Sequence, residues 1–256
     1  MAGVIAPIAV AAGTFASSAH AEWALNFQKP VTPIAHIQYD LHMLILWICV
    51  AIFVLVFGIM FYSLFAHRKS KRAHAANFSH STKAEVIWTV IPILILIGMA
   101  IPSTQALIMM EDTTASDMTI KITGYQWKWR YQYLDNDIDY YSALETPRSQ
   151  IENNAPKEEH YLLEVDKHLV LPVNKKIRLL ITANDVIHAW WVPALGAKKD
   201  AIPGFINEIW TQIDEPGTYR GQCAELCGKD HGFMPIVVDA VSEDDFNAWV
   251  QNQTSQ

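Results

Sequence analysis

Cysteine, positive charge and repetition are what this sequence has least of. Only three of its 256 residues are Cys. Two share one short motif. The third, Cys49, lies inside an apolar run and is expected to be a buried small hydrophobe without chemistry of its own. Net charge is −7, from 19 Lys and Arg against 26 Asp and Glu. That deficit argues against a nucleic-acid partner. No internal repeat is present. No C-x-x-C-H segment occurs either, so no haem is attached covalently to this chain.

The beginning of the chain also lacks something: residues 1–21 hold no Lys or Arg. They otherwise read as an export signal. Val4 to Phe15 is small and apolar, and Ala19-His20-Ala21 is an A-x-A cleavage site, so the mature protein is expected to start at Glu22. The apolar stretch is too short for a spanning helix.

Long apolar runs appear further on. Leu41 to Ala66 and Val86 to Met110 each exceed the ~20 residues that cross a bilayer. Pro92 and Pro102 lie in the second run, where membrane helices tolerate proline. Between the runs sits His67-Arg68-Lys69-Ser70-Lys71-Arg72, with Lys83 beyond it. Lys and Arg mark cytoplasmic loops, so this loop is inside and both ends of the hairpin face outward. With a bacterial-style leader, outward means the periplasm and the membrane is the bacterial inner membrane. The expected organisation is a signal at 1–21, a two-helix hairpin at 22–112 and an outer domain at 113–256.

From Met118 onward the pattern changes to short strands. Met118–Thr123, Tyr161–Val165, Lys176–Ile181, Ile206–Ile213, Thr218–Gln222 and Ile236–Ala240 are each expected to be one. Asp135 to His160 is polar and is expected to be an irregular surface excursion. Ser242 followed by Glu243, Asp244 and Asp245 predicts the capped start of a final helix. Periodicity alone gives a β-rich outer domain. From residue 115 on, it carries 21 Asp and Glu against 13 Lys and Arg, an acidic bias.

The chemistry concentrates in Cys223-Ala-Glu-Leu-Cys227-Gly-Lys-Asp-His231-Gly-Phe-Met234. Thiolate and thioether are soft donors, and imidazole suits copper. A mononuclear blue-copper site uses one Cys, two His and a Met; here one Cys would be left over. Two thiolates can instead bridge two coppers, each with its own His. His231 offers one imidazole, and His188 in Asp185-Val186-Ile187-His188 the other. A disulfide is the ordinary fate of paired Cys in an exported protein. A Cys2His2 zinc site is chemically open, but zinc has no use for the Met.

These residues resemble the subunit II family of cytochrome c oxidases, of the bacterial type. The resemblance rests on Gly221–Gly228 with His231 and Phe233-Met234-Pro235. It extends to Asp185–His188, Val192-Pro193, Asp200–Gly204, Gly124–Trp129 and Glu85–Pro92. Lys128 departs from it, since many relatives have an aromatic residue there.

The resemblance implies a membrane-anchored α+β chain: a two-helix transmembrane hairpin, then a Greek-key cupredoxin β-sandwich. It implies that Cys223 and Cys227 bridge two copper ions, with His188 and His231 as terminal ligands. Met234 and the Glu225 carbonyl would be axial ligands, and the Glu225 carboxylate would reach a magnesium shared with subunit I. The metal loop would join adjacent strands, with His188 supplied by another loop. Trp127, expected to be exposed, would be the electron-entry residue. Asp166 and Asp185 would help dock cytochrome c, and Glu85 would open a proton path. Electrons would pass to haem held only in subunit I, where oxygen is reduced and protons are translocated; subunit III is a further expected partner. The rivals are a quinol-oxidase subunit, which lacks these ligands, a nitrous-oxide-reductase-like copper domain, and a copper chaperone or storage protein.

Overall fold

The computed structural model describes residues 26–71 and 79–254. The expected signal at 1–21 lies outside the described residues, as does Arg72.

Two long helices come first: α1, Pro33–Ala66, and α2, Thr82–Glu111. Both start earlier than the apolar runs. Thr32 and Ser81 are the N-caps, their hydroxyls accepting from the Ala35 and Ala84 amides. At 1.5 Å per residue α1 is about 51 Å long, well beyond a hydrocarbon core of ~30 Å. Its first turns therefore leave the apolar layer and dock on the outer domain. Val31, Ile34 and Ala35 are buried there. The Thr32 hydroxyl also donates to the Leu195 carbonyl at 2.8 Å, and Gln38 Nε2 donates to that of Gly196 at 2.9 Å. On α2, the Met109 carbonyl accepts from the Trp210 indole at 2.9 Å. Elsewhere both helices expose large apolar side chains, including Trp47, Leu55, Ile93 and Leu107. Cys49 is exposed too, contrary to expectation. A spanning helix turns its apolar residues to lipid rather than into a core of its own.

The outer domain is a sandwich of two five-stranded sheets. In the first, the order is β3 (Ile138–Ser142), β2 (Lys128–Tyr133), β1 (Met118–Tyr125), β5 (Ile177–Ala183) and β8 (Asn207–Thr211). In the second it is β4 (Leu169–Pro172), β10 (Pro235–Val241), β9 (Gly217–Cys223), β6 (His188–Val192) and β7 (Ala197–Ala201). β1 with β5 and β4 with β10 are parallel; the other pairs are antiparallel. Non-sequential neighbours mark crossovers between the sheets, as in a cupredoxin. Alternation drives the packing: Ile177, Leu179 and Ile181 are fully buried, as are Trp129 and Tyr131 on β2. Each such side chain contributes roughly 1.5–3 kcal/mol by leaving water.

Two further sequence expectations fail. The segment 135–160 is not irregular throughout: it holds β3 and a helical turn, α3, Arg148–Ile151. Ile138, Tyr140 and Ser142 are buried on alternate positions, a pattern masked by the acids between and around them. Conversely, Tyr161–Val165 is not a strand. Leu162 has φ of 61°, and only Val165 bridges, to Leu144. This stretch is instead fastened through His168, which lies 2.9 Å from Glu164 and 2.7 Å from Asp239 of β10. The Asp239 hydrogen bond raises the His168 pKa against the opposing effect of burial. The final helix, α4 (Glu243–Thr254), starts at Ser242 as expected, whose hydroxyl accepts from the Asp245 amide.

Candidate metal centre

The metal loop runs between two paired strands. Cys223 is the last residue of β9, and Pro235 opens the antiparallel β10. The β9–β10 ladder thus holds both ends of the loop. His188 does not come from a loop: it is the first residue of β6, whose Trp190 pairs with Cys223 on β9. The strand register therefore brings two positions 35 residues apart together.

Cys223 Sγ and Cys227 Sγ are 3.9 Å apart. Cys223 Sγ lies 3.9 Å from His188 Nδ1 and 3.4 Å from the Glu225 carbonyl oxygen. Cys227 Sγ lies 3.4 Å from His231 Nδ1 and 3.5 Å from Met234 Sδ. Each sulfur therefore faces one imidazole and one weak axial donor. The donor atoms of His188, Cys223 and Cys227 lie within 4.8 Å of one another. His188, both Cys and Met234 are at most 3% exposed. Two soft thiols with two imidazoles and a thioether fit copper in number and type, and each thiol has its own imidazole.

The two thiols differ. Burial pushes the Cys227 thiol up to about 12, and the Cys223 sulfur beside it adds to the effect. Burial also acts upward on Cys223, but contacts with His188 and with the Ala189 and Glu225 backbone outweigh it and leave its pKa lowered. Thiolate ligands must lose their protons, so metal uptake releases protons and is weaker at low pH.

A surrounding layer orients the ligands. His188 Nε2 lies 2.9 Å from Asp185 Oδ1, which also accepts the Val186 amide at 2.7 Å. Asp185 Oδ2 accepts the Gln126 amide at 2.8 Å. Both oxygens of Asp185 therefore face inward, an arrangement that fixes ring orientation in metal-bound His. Burial tends to raise the Asp185 pKa; the bonds from His188, Gln126 and Val186 overcome it, and the net shift is downward. The Trp129 indole donates to the Met234 carbonyl at 3.3 Å, and its ring lies 6.0 Å from His188. Gly124 backs the imidazole: a Cβ there would sit 2.9 Å from His188 Cδ2. Gly124→Ala is expected to cost about 1–3 kcal/mol by overpacking and to weaken copper binding. Denaturant unfolding and copper titration check this; unchanged values in both would contradict the seating role.

Trp127 is half-buried rather than exposed, and its indole donates to the Cys227 carbonyl at 3.3 Å. Glu225 is exposed at the loop tip beside Leu226. Asp166 is exposed and accepts the Ala143 amide at 2.7 Å. Glu85 lies in the first turn of α2, about 40 Å along the axis from Glu111. The site thus gathers the six expected copper positions with Trp127 and Asp185, and leaves out Asp166 and Glu85. Sequence reasoning missed the inward role of Asp185, the contacts of Gln126 and Trp129, and the seat at Gly124. The spacing of Asp185 and His188 was the one available signal among these.

Two family descriptions match. The cytochrome c oxidase subunit II transmembrane domain matches residues 20–106, and the periplasmic domain matches 118–241. A probable cytochrome c oxidase subunit 2 of Rickettsia bellii is 43% identical over 90% of this chain and 84% of its own length. Cytochrome c oxidase subunit 2 of Cyanidium caldarium is 42% identical over 90% of this chain and 91% of its own. The crystal structure of the periplasmic domain of subunit II of the Bradyrhizobium japonicum cytochrome oxidase covers 56% of this chain and 97% of its own. It superposes with a TM-score of 0.50 at 43% identity.

Proposed function

Because the chain belongs to the cytochrome c oxidase subunit II family, we propose that its outer domain takes electrons one at a time from a cytochrome c. Family membership makes it the electron-entry subunit of an oxidase, with subunit I as its partner. It has a membrane anchor and a periplasmic domain with a CuA-type site. The finer reading is carried by one observation: four further donors converge on two buried thiols that face each other.

In this reading the Cys223 and Cys227 thiolates, the His188 and His231 imidazoles, Met234 and the Glu225 carbonyl would together hold two coppers. When bound, the copper pair supplies a store for one electron. The protein's part is to keep that site still. The β9–β10 ladder clamps the loop, Asp185 holds the His188 ring, and the buried surroundings exclude water. Little rearrangement then accompanies each change of charge. Trp127, touching the Cys227 carbonyl, is the entry residue. The Glu225 carboxylate, exposed at the tip, would help hold a magnesium shared with subunit I, which would hold the haem and perform oxygen reduction and proton translocation. Glu85 opens a proton path on the inner side. The chain is organised as a cleaved signal at 1–21, a hairpin at 22–112 and the copper domain at 113–256. Its site is the bacterial inner membrane, and subunit III completes the core. A chaperone would need exchangeable ligands, and the burial of Cys223, Cys227, His188 and Met234 argues against that role.

The acidic outer domain suits a donor with a basic face. Asp166 and Asp185 belong to that docking field, although the inward bonds of Asp185 make Asp166 the cleaner probe. Asp166→Asn is expected to weaken cytochrome c binding at low ionic strength. The loss should shrink as salt shortens the screening length to ~8–10 Å. Steady-state oxidation of reduced cytochrome c by the purified complex at several salt concentrations tests this. A complex that oxidises quinol and leaves cytochrome c untouched would overturn the reading.

A further inference from the structure

Gln126 and Trp127 form the two-residue turn between β1 and β2. The peptide joining them is cis. Gln126 is exposed, and an exposed glutamine ordinarily turns its amide to water. Here Gln126 Nε2 donates to the Cys227 carbonyl at 2.8 Å, and the Trp127 indole N–H donates to the same oxygen at 3.3 Å. A carbonyl has two lone pairs, and consecutive residues occupy both. The Gln126 backbone N–H donates to Asp185 Oδ2, while Asp185 Oδ1 holds His188. One residue therefore ties the His188 side of the metal centre to the Cys227 side.

The turn also sits closely on the loop. Gly228 has φ of 121°, and a Cβ there would lie 3.0 Å from both Gln126 Nε2 and Trp127 Cζ2. Of the two bonds to Cys227, that from the indole is the longer, and Trp127 is only half-buried. The stronger tie is the neighbouring amide.

We propose that Gln126 is a positioning residue for electron entry: its side-chain amide pins the copper loop at the Cys227 carbonyl and so holds that carbonyl against the Trp127 indole. This rests on the reading of Trp127 as the entry aromatic. The route runs from the indole across one hydrogen bond to the Cys227 backbone and on toward its sulfur. The electron would come from the donor's haem, which would be oxidised, and the copper pair held by these residues would take it up. No bond forms or breaks, and no proton moves at Gln126 or Trp127. Geometry controls such a step, because the electron must cross the contact between the indole and the Cys227 carbonyl.

The test uses Gln126→Met, of similar length without donors, and Gln126→Glu, of the same shape but accepting where Gln donates. In the intact oxidase, electron arrival after rapid mixing with reduced cytochrome c should slow several-fold in both variants. KM for cytochrome c in Gln126→Met, which adds no charge, should stay unchanged, as should the near-infrared copper absorption and the reduction potential. Independently of copper, the indole 15N–1H resonance of Trp127 in the copper-free full-length chain should move toward that of an unbonded indole. Wild-type arrival with an unmoved indole resonance would overturn the proposal. So would a change confined to KM, which would make Gln126 a donor contact, or an altered copper spectrum, which would make it a support of the metal. A wild-type rate in Trp127→Phe would instead remove the entry reading itself. A slow Trp127→Phe beside a normal Gln126→Met removes only this inference.

Discussion

Cys223→Ser or Cys227→Ser is expected to abolish the shared copper centre and cytochrome c oxidation with it, leaving the sandwich folded. Each sulfur faces its own imidazole and its own axial donor, and the two sulfurs face each other. Removing one thiol therefore breaks one half outright and strips the other of its second bridge. A serine hydroxyl is a hard donor that stays protonated at neutral pH and does not replace a thiolate toward copper. Serine is close to cysteine in volume, so the packing around β9 and β10 should survive. Metal analysis should fall to at most one copper per chain, while far-ultraviolet circular dichroism stays native. Met234→Leu is the contrast: an axial donor tunes more than it holds, so both coppers should remain and the potential should shift. Full copper content in either serine variant would refute the bridging assignment.

Trp127→Phe should slow electron arrival by a large factor. Phenylalanine keeps an aromatic ring but loses the indole N–H, and with it the bond to the Cys227 carbonyl. Binding of cytochrome c should be nearly unchanged because no charge is removed. Asp166→Asn acts the other way, on encounter and on salt dependence, with the step after docking left intact. Flash or rapid-mixing kinetics across ionic strengths separates the two. If Trp127→Phe transfers electrons at the wild-type rate, Trp127 is a packing residue and entry lies elsewhere on the acidic face.

The donor set was legible because five of its six members lie in twelve consecutive residues, Cys223 to Met234, and soft ligands at that density have few other uses. The spans were legible because lipid demands long apolar runs, although their starts were not. Thr32 caps α1 and bonds Leu195 in the outer domain, a tertiary fact that no local pattern carries. The strand at Ile138–Ser142 was hidden because its buried face is three residues among acids. The short strands β4, β6 and β7 gave too few alternations to stand out. Tyr161–Val165 shows the converse: a hydrophobic stretch whose backbone turns at Leu162, with φ of 61°, so that only Val165 makes a bridge, to Leu144. Asp185 reads as a surface acid in sequence because the Gln126 backbone N–H, 59 residues away, meets it only once the end of β1 is brought beside the β5–β6 connection; the spacing to His188 was its one local clue. Gln126 carries no local signal at all; its partner is 101 residues away.

The central claim is that one electron is shared by two coppers held between Cys223 and Cys227. Quantitative metal analysis of the purified complex, paired with its electron paramagnetic resonance spectrum, tests it most directly. The account predicts two coppers bound to this chain and one unpaired electron, with hyperfine splitting from two equivalent copper nuclei. One copper in this chain, with hyperfine splitting from a single nucleus, would contradict it.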